Sequence, residues 1–356
     1  MLPFVILLTV PIIFQHMPIK RMSYERRNRI LLFFFFAFLT FLIMFRHESV
    51  GNDTHNYSNL FVKFSNMSWS ELSRETIEVG FSFYTKFISY FPDEPQFFLA
   101  ISAIAVTLMI YPSYKRLCVD TSLTIVIFCL MSTFVMMFSG IRQMMAIGIG
   151  FIAYEFTRNK KFIPFIIAVF IALTFHTSAF MLFFMYPIYH AKITKKWLVV
   201  FAPIFLVILL YNDKIFMVLS LIIERYTRFN GDIISTGAYT MIFLFIALAI
   251  FSYLIPDETK IDKETIGLRN FLLFSLVIQF FAPLHNLAMR MNYYYIIFIP
   301  LLLPKIIEFK SEKLKQVAIV GRYVMVVFFL LYFFIIKANS DGNLHVFPYH
   351  FFWENI

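Results

Sequence analysis

Residues 30–45 read ILLFFFFAFLTFLIMF, an apolar run that carries no charged side chain. A helix needs about 20 apolar residues to cross the hydrocarbon core of a bilayer, so this run approaches the length of one span. Comparable runs recur along the chain and are separated by short polar segments. The pattern predicts an all-α, polytopic transmembrane helix bundle of about 11–12 helices.

The predicted spans are spread over the full 356 residues, so we treat 1–356 as a single polytopic membrane domain. They cover Leu2–Ile19, Ile30–Phe45, Gln96–Tyr111, Thr121–Phe138, Ile141–Phe156, Phe162–Phe175, Ala179–His190, Trp197–Tyr211, Ala238–Ile255, Leu268–Ala282, Ala288–Ile307 and Val317–Ile336. Residues 162–190 could also form one long kinked helix. The first run lacks the charged start and the small-residue cleavage site of a signal peptide, so we expect a retained helix.

The composition excludes an ordinary soluble protein. Hydrophobic residues make up 60% of the chain, charged residues make up 15%, and 49 residues are Phe. Soluble domains average about 45–50% apolar and about 25% charged residues. Even a folded protein must cover itself with polar groups, so lipid is the solvent that suits this chain.

The net charge of +10 does not indicate a nucleic-acid partner. The positive residues form small clusters between apolar runs, whereas nucleic-acid binding needs a basic patch or stripe. Roughly two thirds of the 31 Lys and Arg fall in one set of alternating loops, and this bias predicts that these loops are cytoplasmic. The long loops of the other set, residues 46–95 and 213–237, then face outward, where we expect the chemistry.

Five arginines at or near the predicted outward helix ends are not required by the topology rule: Arg46, Arg142, Arg225, Arg228 and Arg290. In one interpretation each snorkels to lipid phosphates or pairs with a nearby carboxylate. In the other, several converge on one anionic ligand. A guanidinium keeps its charge and donates two parallel hydrogen bonds to phosphate, so the second interpretation suits a diphosphate.

His176 lies in FHTSA at residues 175–179, at the predicted outer end of an apolar run. An imidazole can take up a proton near neutral pH, which makes His176 a candidate general base. A structural histidine that bonds to Thr177 or Ser178 fits the sequence equally well.

Asp53 follows a Gly-Asn pair and precedes a predicted helix that begins near Thr54. A helix N-cap is therefore its structural alternative, next to a role in acid–base chemistry. His47 and His55 lie close by, but the Cys/His spacing of a zinc site is absent. We predict neither a metal site nor a cofactor.

Five short motifs together resemble the EpsG family, a branch of the Wzy-type polysaccharide polymerases. They are FRHESVGNDTHNY at residues 45–57, EVGF at 78–81, GIRQMMA at 140–146, FHTSA at 175–179 and RMNYYY at 290–295. Val79 stands where the family usually has Pro. The order and spacing of the motifs extend the resemblance over nearly the whole chain.

The resemblance implies a glycosyltransferase that polymerises O-antigen, capsule or exopolysaccharide. It would transfer a glycan from undecaprenyl diphosphate onto the next lipid-linked repeat at the outer face of the bacterial plasma membrane. The implied partners are the undecaprenyl-diphosphate-linked donor and acceptor oligosaccharides and membrane lipid, and a chain-length regulator could assist. No nucleotide sugar, metal or nucleic acid is implied.

The candidate roles follow from the motifs and from the chemistry of their side chains. We predict that Arg142 and Arg290 bind the diphosphate, with Arg46, Arg225 and Arg228 as further candidates. Either His176 or Asp53 would activate the acceptor hydroxyl. The residues predicted to support the site are Gln143, Tyr57 and Glu78.

Two other functional classes remain open. A flippase or transporter for the same lipid-linked glycan would also need outward cations, but it should carry charge through the centre of the membrane. The centres of several predicted spans, such as residues 31–41 and 163–174, carry none. A glycan ligase or a membrane acyltransferase would use similar Arg and His chemistry with a different acceptor.

Overall fold

The computed structural model describes residues 2–17, 22–222, 237–335, 339 and 344–355. Within these ranges the chain forms helices and two isolated β-bridges, and no strand. The predicted all-α, polytopic fold is confirmed. The described residues divide into two compact units, Met1–Phe183 with Ile319–Ile356 and Phe184–Ala318, which we call unit 1 and unit 2.

Unit 1 holds the first ten α-helices and the greater part of the last one. They are α1 Leu2–His16, α2 Tyr24–Met44, α3 Thr54–Ser65, α4 Trp69–Leu72, α5 Val79–Ile88, α6 Pro95–Leu117, α7 Thr121–Leu130, α8 Ser132–Ser139, α9 Ile141–Arg158 and α10 Phe162–Phe175. A 3₁₀ helix, Thr177–Phe184, follows α10. Helix α2 packs on α6, α6 packs on α9, and α9 packs on α10, so these helices form the frame of the unit.

Unit 2 contains the helices between residues 184 and 318. They are α11 Met185–His190, α12 Lys195–Leu210, α13 Asn212–Ile222, α14 Gly237–Leu254, α15 Lys263–Gln279, α16 Asn286–Ile296 and α17 Ile299–Glu308. Helix α15 is the centre of this unit, because α11, α14, α16 and α17 all pack on it. The last helix, α18, covers Lys315–Ile335 after a short 3₁₀ turn, Glu312–Leu314.

Three segments in the described part of the chain are long and apolar enough to cross a membrane unaided: Tyr24–Met44, Pro95–Leu117 and Glu312–Ile335. Two bent helix pairs raise this number to as many as five. The pair α7 and α8 bends by 64°, and the pair α16 and α17 bends by 44°. Shorter apolar helices cover Leu2–Gln15, Phe162–Phe175 and Ala238–Leu254. The predicted spans 121–138 and 288–307 are thus broken helices.

The start of helix α2 is stabilised by its first polar residues. The hydroxyl of Ser23 accepts a hydrogen bond from the backbone N–H of Arg26, which caps the helix. Glu25 lies in the first turn, where its negative charge interacts favourably with the positive end of the helix dipole.

Phenylalanines from the buried face of α2 pack edge-to-face with aromatic residues of other helices. The ring centroids of Phe36 and Tyr114 are 5.2 Å apart, a favourable aromatic distance.

The predicted span Ala179–His190 is helical, but it is not one α-helix. Helix α10 ends at Phe175, and the chain continues as the 3₁₀ helix Thr177–Phe184 and the six-residue helix α11. His176 separates the two helices in an extended conformation, with φ −158° and ψ 128°. Apolar composition could not distinguish a continuous helix from this broken one, because both bury the same side chains.

The segment of residues 46–95 is not an open loop, because it contains α3, α4 and α5. The C-terminal residues 344–355 return to its start. The N–H of Gly51 donates to the carbonyl of His345, and Arg46 and Phe351 form an antiparallel bridge. The Tyr349 hydroxyl donates to the carbonyl of Leu42 at the end of α2. These bonds fasten the first motif segment to the end of the chain.

Candidate functional site

Helix α5 brings the second motif against the end of α10. Gly80 permits this contact, because a Cβ atom at this position would lie 2.1 Å from Oγ1 and 2.9 Å from the carbonyl oxygen of Thr174. Neither distance is compatible with a side chain, so only glycine allows this approach. The close packing holds Glu78, the N-cap residue of α5, beside the turn after α10.

Glu78 joins the second motif to the third and the fourth. Its Oε2 atom lies 2.7 Å from Nη1 of Arg142, at the start of α9, and forms a salt bridge. Its Oε1 atom accepts a hydrogen bond of 3.2 Å from the backbone N–H of Thr177. Glu78 and Arg142 are only partly exposed, at 14% and 29% of their side chains, so solvent screens the pair less than a surface pair.

The surroundings of Glu78 keep its carboxylate ionised. Burial alone would raise the pKa of the carboxyl, but the Arg142 guanidinium, the backbone N–H groups and the nearby His176 outweigh burial and hold the pKa below its usual value. The pair Glu78–Arg142 is therefore charged at neutral pH. The guanidinium of Arg142 also lies 6.0 Å from the ring centre of Phe81 and forms a cation–π contact with it.

His176 forms the cap of the 3₁₀ helix that follows it. Its Nδ1 atom accepts a hydrogen bond of 3.2 Å from the N–H of Ser178 and lies 2.7 Å from the hydroxyl of Ser178. A neutral imidazole whose Nδ1 accepts from a backbone N–H carries its proton on Nε2. This tautomer is assigned from the hydrogen bonds and makes Nε2 a donor. The structural alternative that involved Ser178 is thus present in the fold.

Gln143 and Tyr57 complete the same cluster. Nε2 of Gln143 donates to the Ser178 hydroxyl over 3.5 Å, which links α9 to the 3₁₀ helix. Tyr57 is buried on α3, its ring lies 5.7 Å from that of Phe81, and its hydroxyl is in hydrogen-bonding range of Arg142. Burial raises the pKa of Tyr57, although Arg142 opposes the shift, so its hydroxyl stays protonated.

Asp53 stands at the N-cap position of α3, but its side chain makes no capping hydrogen bond. The capping role considered from the sequence is therefore wrong for the side chain. Its backbone N–H donates to the hydroxyl of Ser139, which fixes the loop to the end of α8. The half-buried carboxylate lies close enough to Tyr57 to affect the pKa of that hydroxyl. Within the described residues it accepts no hydrogen bond, so it is available to a ligand.

Arg46 has a different position from the one expected of a diphosphate ligand. Its side chain is fully buried, and its guanidinium donates to the carbonyl of Ile43 and to the hydroxyl of Thr54. Burial lowers the pKa of Arg46 to about 10, so it remains charged at neutral pH. These bonds connect the end of α2 to the start of α3. The geometry gives Arg46 a structural role, although its buried Nη2 has no hydrogen-bond partner among the described residues. A contact of Arg46 with the diphosphate stays a prediction.

The remaining predicted arginines belong to the other part of the chain. Arg225 and Arg228 lie outside the described residues. Arg290 is exposed on α16 in unit 2, near His285, the N-cap residue of that helix. The predicted meeting of Arg142 with Arg290 stays a prediction.

Sequence reasoning placed Glu78 only among the supporting residues, although it contacts two other motifs in space. It also missed the backbone N–H of Thr177 and the close approach of Gly80. The glycine directly after Glu78-Val79 was the available signal, because a glycine inside a helix that is otherwise apolar often marks close packing. Among the described residues, no three His, Cys, Asp or Glu side chains come together as a metal-binding group.

The arrangement can bind an anion and handle a proton. Motifs that are up to 123 residues apart in the sequence numbering, from Asp53 to His176, meet within unit 1. A comparison with known protein families matches residues 29–351 to the EpsG family, and this range contains all five motifs. No curated protein and no solved structure matches the chain. The sequence, the helical membrane fold and this match lead to one assignment: the chain belongs to the EpsG family of membrane proteins for polysaccharide biosynthesis.

Proposed function

We propose that this protein polymerises lipid-linked polysaccharide repeats at the outer face of the bacterial plasma membrane. The donor is a glycan on undecaprenyl diphosphate, and the acceptor is the next lipid-linked repeat. An acceptor hydroxyl attacks the anomeric carbon of the donor glycan, and the bond from this carbon to the diphosphate oxygen breaks. Lipid diphosphate leaves, and the hydroxyl proton passes to a base.

One observation carries the proposal: Arg142, Glu78, Tyr57 and His176, from four separate motifs, form one cluster in unit 1. The cluster lies where α2 ends, α6 and α9 begin and α10 ends. In a polytopic bundle these helix ends share one membrane face, which is where two lipid-anchored substrates would meet. Positioning both substrates at the same depth would supply much of the rate.

Arg142 is the group that would stabilise the departing diphosphate. One of its nitrogens donates to Glu78, Nε is buried without a hydrogen-bond partner among the described residues, and the side chain as a whole is 29% exposed. Glu78 fixes the direction of the guanidinium, so the site needs little reorganisation when negative charge develops on the leaving group. Because the cation is already paired, Glu78 also lowers the cost of holding Arg142 at the membrane surface.

Asp53 fits the role of the base better than His176 does. Its carboxylate accepts no hydrogen bond within the described part of unit 1, and it lies beside Tyr57 at the edge of the cluster. The Nδ1 atom of His176 is engaged by the N–H of Ser178, which leaves the ring with a donor at Nε2. We therefore assign proton uptake to Asp53 and hydrogen-bond donation toward the diphosphate to His176.

Purified protein in nanodiscs, given only undecaprenyl-diphosphate-linked repeats, tests the function. A polymerase produces a ladder of lengthened glycans on a gel and releases one undecaprenyl diphosphate for each linkage. A ligase produces no ladder until a separate acceptor is supplied. A flippase forms no new glycosidic bond. Folded protein that moves the lipid across the membrane without a ladder would overturn the proposal.

A further inference from the structure

A groove of about 320 Å³ lies at the end of α2 and α6 opposite to the Arg142 cluster. Three cationic side chains line it: Arg26 and Arg29 from the start of α2, and Lys115 from the end of α6. The wall next to them is aromatic and consists of Phe33, Phe34 and Tyr111. Its volume is within the range of about 300–1,000 Å³ that is typical of ligand sites.

Helix geometry explains why these residues share one groove. Arg26, Arg29 and Phe33 are three and four positions apart, so they follow one face of α2. Tyr111 and Lys115 are four positions apart on α6, which packs against α2. The rings of Phe33 on α2 and Tyr111 on α6 lie 6.2 Å apart, so the aromatic wall contains residues of both helices. The rise from Arg26 to Phe33 is about 10 Å, so the cations and the aromatic wall lie at different depths.

Among the described residues, Arg26, Arg29 and Lys115 form no ion pair, whereas the neighbouring Arg116 pairs with Glu155 over 2.8 Å. All three side chains are exposed in the free protein. Glu25 lies in the same turn of α2 but forms no ion pair with them. The three positive charges repel each other, and an anion in the groove would remove that repulsion.

The aromatic wall selects among the anions that could enter. Phe33 and Phe34 are 53% and 62% exposed, and they belong to α2, a helix long and apolar enough to cross the membrane. A soluble phosphate would use the cations but not this wall. A phospholipid would use both, because its phosphate lies at the level of the charged groups and its acyl chains lie deeper.

We infer that this groove binds one anionic phospholipid from the surrounding membrane. Arg26, Arg29 and Lys115 hold the phosphate and the charged headgroup, and an acyl chain lies along Phe33 and Phe34. The site is distinct from the reaction at Arg142, since it lies at the other end of α2. The inference of a lipid site therefore does not depend on the polymerase function.

Native mass spectrometry of the delipidated full-length protein tests the inference. The probes are phosphatidylglycerol and phosphatidylcholine with identical acyl chains. We expect one phosphatidylglycerol to bind at least about tenfold more tightly than phosphatidylcholine, because each cation near the surface favours an anionic lipid. The triple variant Arg26→Gln, Arg29→Gln, Lys115→Gln should lose this tight site and show a dissociation constant raised about 10- to 100-fold.

A matched control removes the same charge elsewhere. Lys192, Lys195 and Lys196 are exposed on the loop and first turn of α12, and their triple replacement by Gln should change the affinity less than about threefold. Equal losses in the two triple variants would show general surface charge and overturn the site. If the Arg26 triple variant does not fold, Arg29→Gln alone replaces it, with an expected loss of at least about threefold.

A second arm separates a lipid from a soluble anion. Phe34→Ala keeps all three cations and should weaken long-chain phosphatidylglycerol about three- to tenfold, because it removes apolar contact with the chain. Millimolar inorganic pyrophosphate should not displace the bound lipid. Displacement by pyrophosphate, together with unchanged lipid affinity of Phe34→Ala, would identify a soluble-anion site and overturn the inference.

Discussion

Two helices of this protein begin in the same way, one in each compact unit. His176 caps the 3₁₀ helix of unit 1 through a hydrogen bond from Ser178 N–H, and His285 caps α16 of unit 2 through a 3.0 Å bond from Leu287 N–H. Their backbones are nearly identical, with φ near −157° and ψ near 130° in both. In both cases an alanine follows three positions later.

The two histidines differ in the charge that faces them. His176 lies near the carboxylate of Glu78, which is already paired with Arg142. His285 lies near Arg290, and burial together with that guanidinium lowers its pKa. The same local motif thus lies beside an ion pair in unit 1 and beside an arginine in unit 2. Capping explains both backbones, whereas the surrounding charges differ, and this difference is why we propose a chemical role only for His176.

The largest effect should come from the cation of unit 1. Arg142→Ala is expected to lower polymer formation by about 10²- to 10³-fold, because it removes the group that stabilises the leaving diphosphate and leaves Glu78 unpaired. Arg142→Lys should recover little, since an ammonium cannot donate two parallel hydrogen bonds. The rate of ladder formation in nanodiscs measures both variants.

Arg74→Ala serves as the control for Arg142. Arg74 is an exposed cation of the same 46–95 segment and forms no salt bridge among the described residues. It should leave the rate within about twofold of the unchanged protein, as expected for most surface substitutions. A normal rate from Arg142→Ala would exclude it from the site and leave the chemistry to Arg290 of unit 2.

The histidine pair distinguishes capping from chemistry. Asparagine is among the best N-cap residues, so His176→Asn and His285→Asn should both keep their helix starts. We expect His176→Asn to lower the polymerisation rate about 10- to 100-fold without a change in melting temperature, because it removes the Nε2 donor. We expect His285→Asn to change the rate less than about twofold. If both variants polymerise at the same rate, His176 acts only as the cap of its helix and takes no part in the reaction.

The glycine contact between α5 and α10 tests whether the position of Glu78 matters. Gly80→Ala forces the two helices apart, since its Cβ would lie 2.1 Å from Thr174 Oγ1. We expect a loss of about 1–3 kcal/mol in unfolding free energy and about a tenfold lower rate. Gly150→Ala is the matched control, because its Cβ would meet only the flexible end of Leu182 at 3.1 Å. Similar effects of the two substitutions would contradict the close-packing argument.

The smallest effect should be a dependence of stability on pH in unit 2. The folded pKa of His285 lies below its usual value near 6.5, so protonation favours the unfolded chain. The stabilisation is complete above about pH 6.5 and is lost as the pH falls through the lowered pKa. Between pH 7.5 and 5.5 the melting temperature should fall about a degree more in the unchanged protein than in His285→Gln. An identical fall in both would show that His285 does not contribute.

Hydropathy predicted the helical membrane fold, because apolar runs of this length form helices in lipid. The order and spacing of the motifs predicted the family. The same information placed Arg142, Gln143, His176 and Tyr57 near each other. It could not show that Glu78 pairs with Arg142, because that salt bridge depends on how closely α5 approaches α10. It could not show that Arg46 is buried either, since burial of a charged side chain depends on which polar groups of its neighbours face inward.

The return of residues 344–355 to the start of the first motif segment has a consequence for how the protein can be handled. Reporter fusions to successively shortened chains are a common way to map the topology of a membrane protein, and every such fusion deletes this segment. The deletion removes the bonds to Gly51 and His47 and the hydroxyl contact to Leu42. Tags inserted within the full-length chain, for example at the exposed residues 92–94, would map its membrane topology and leave these contacts of residues 344–355 intact.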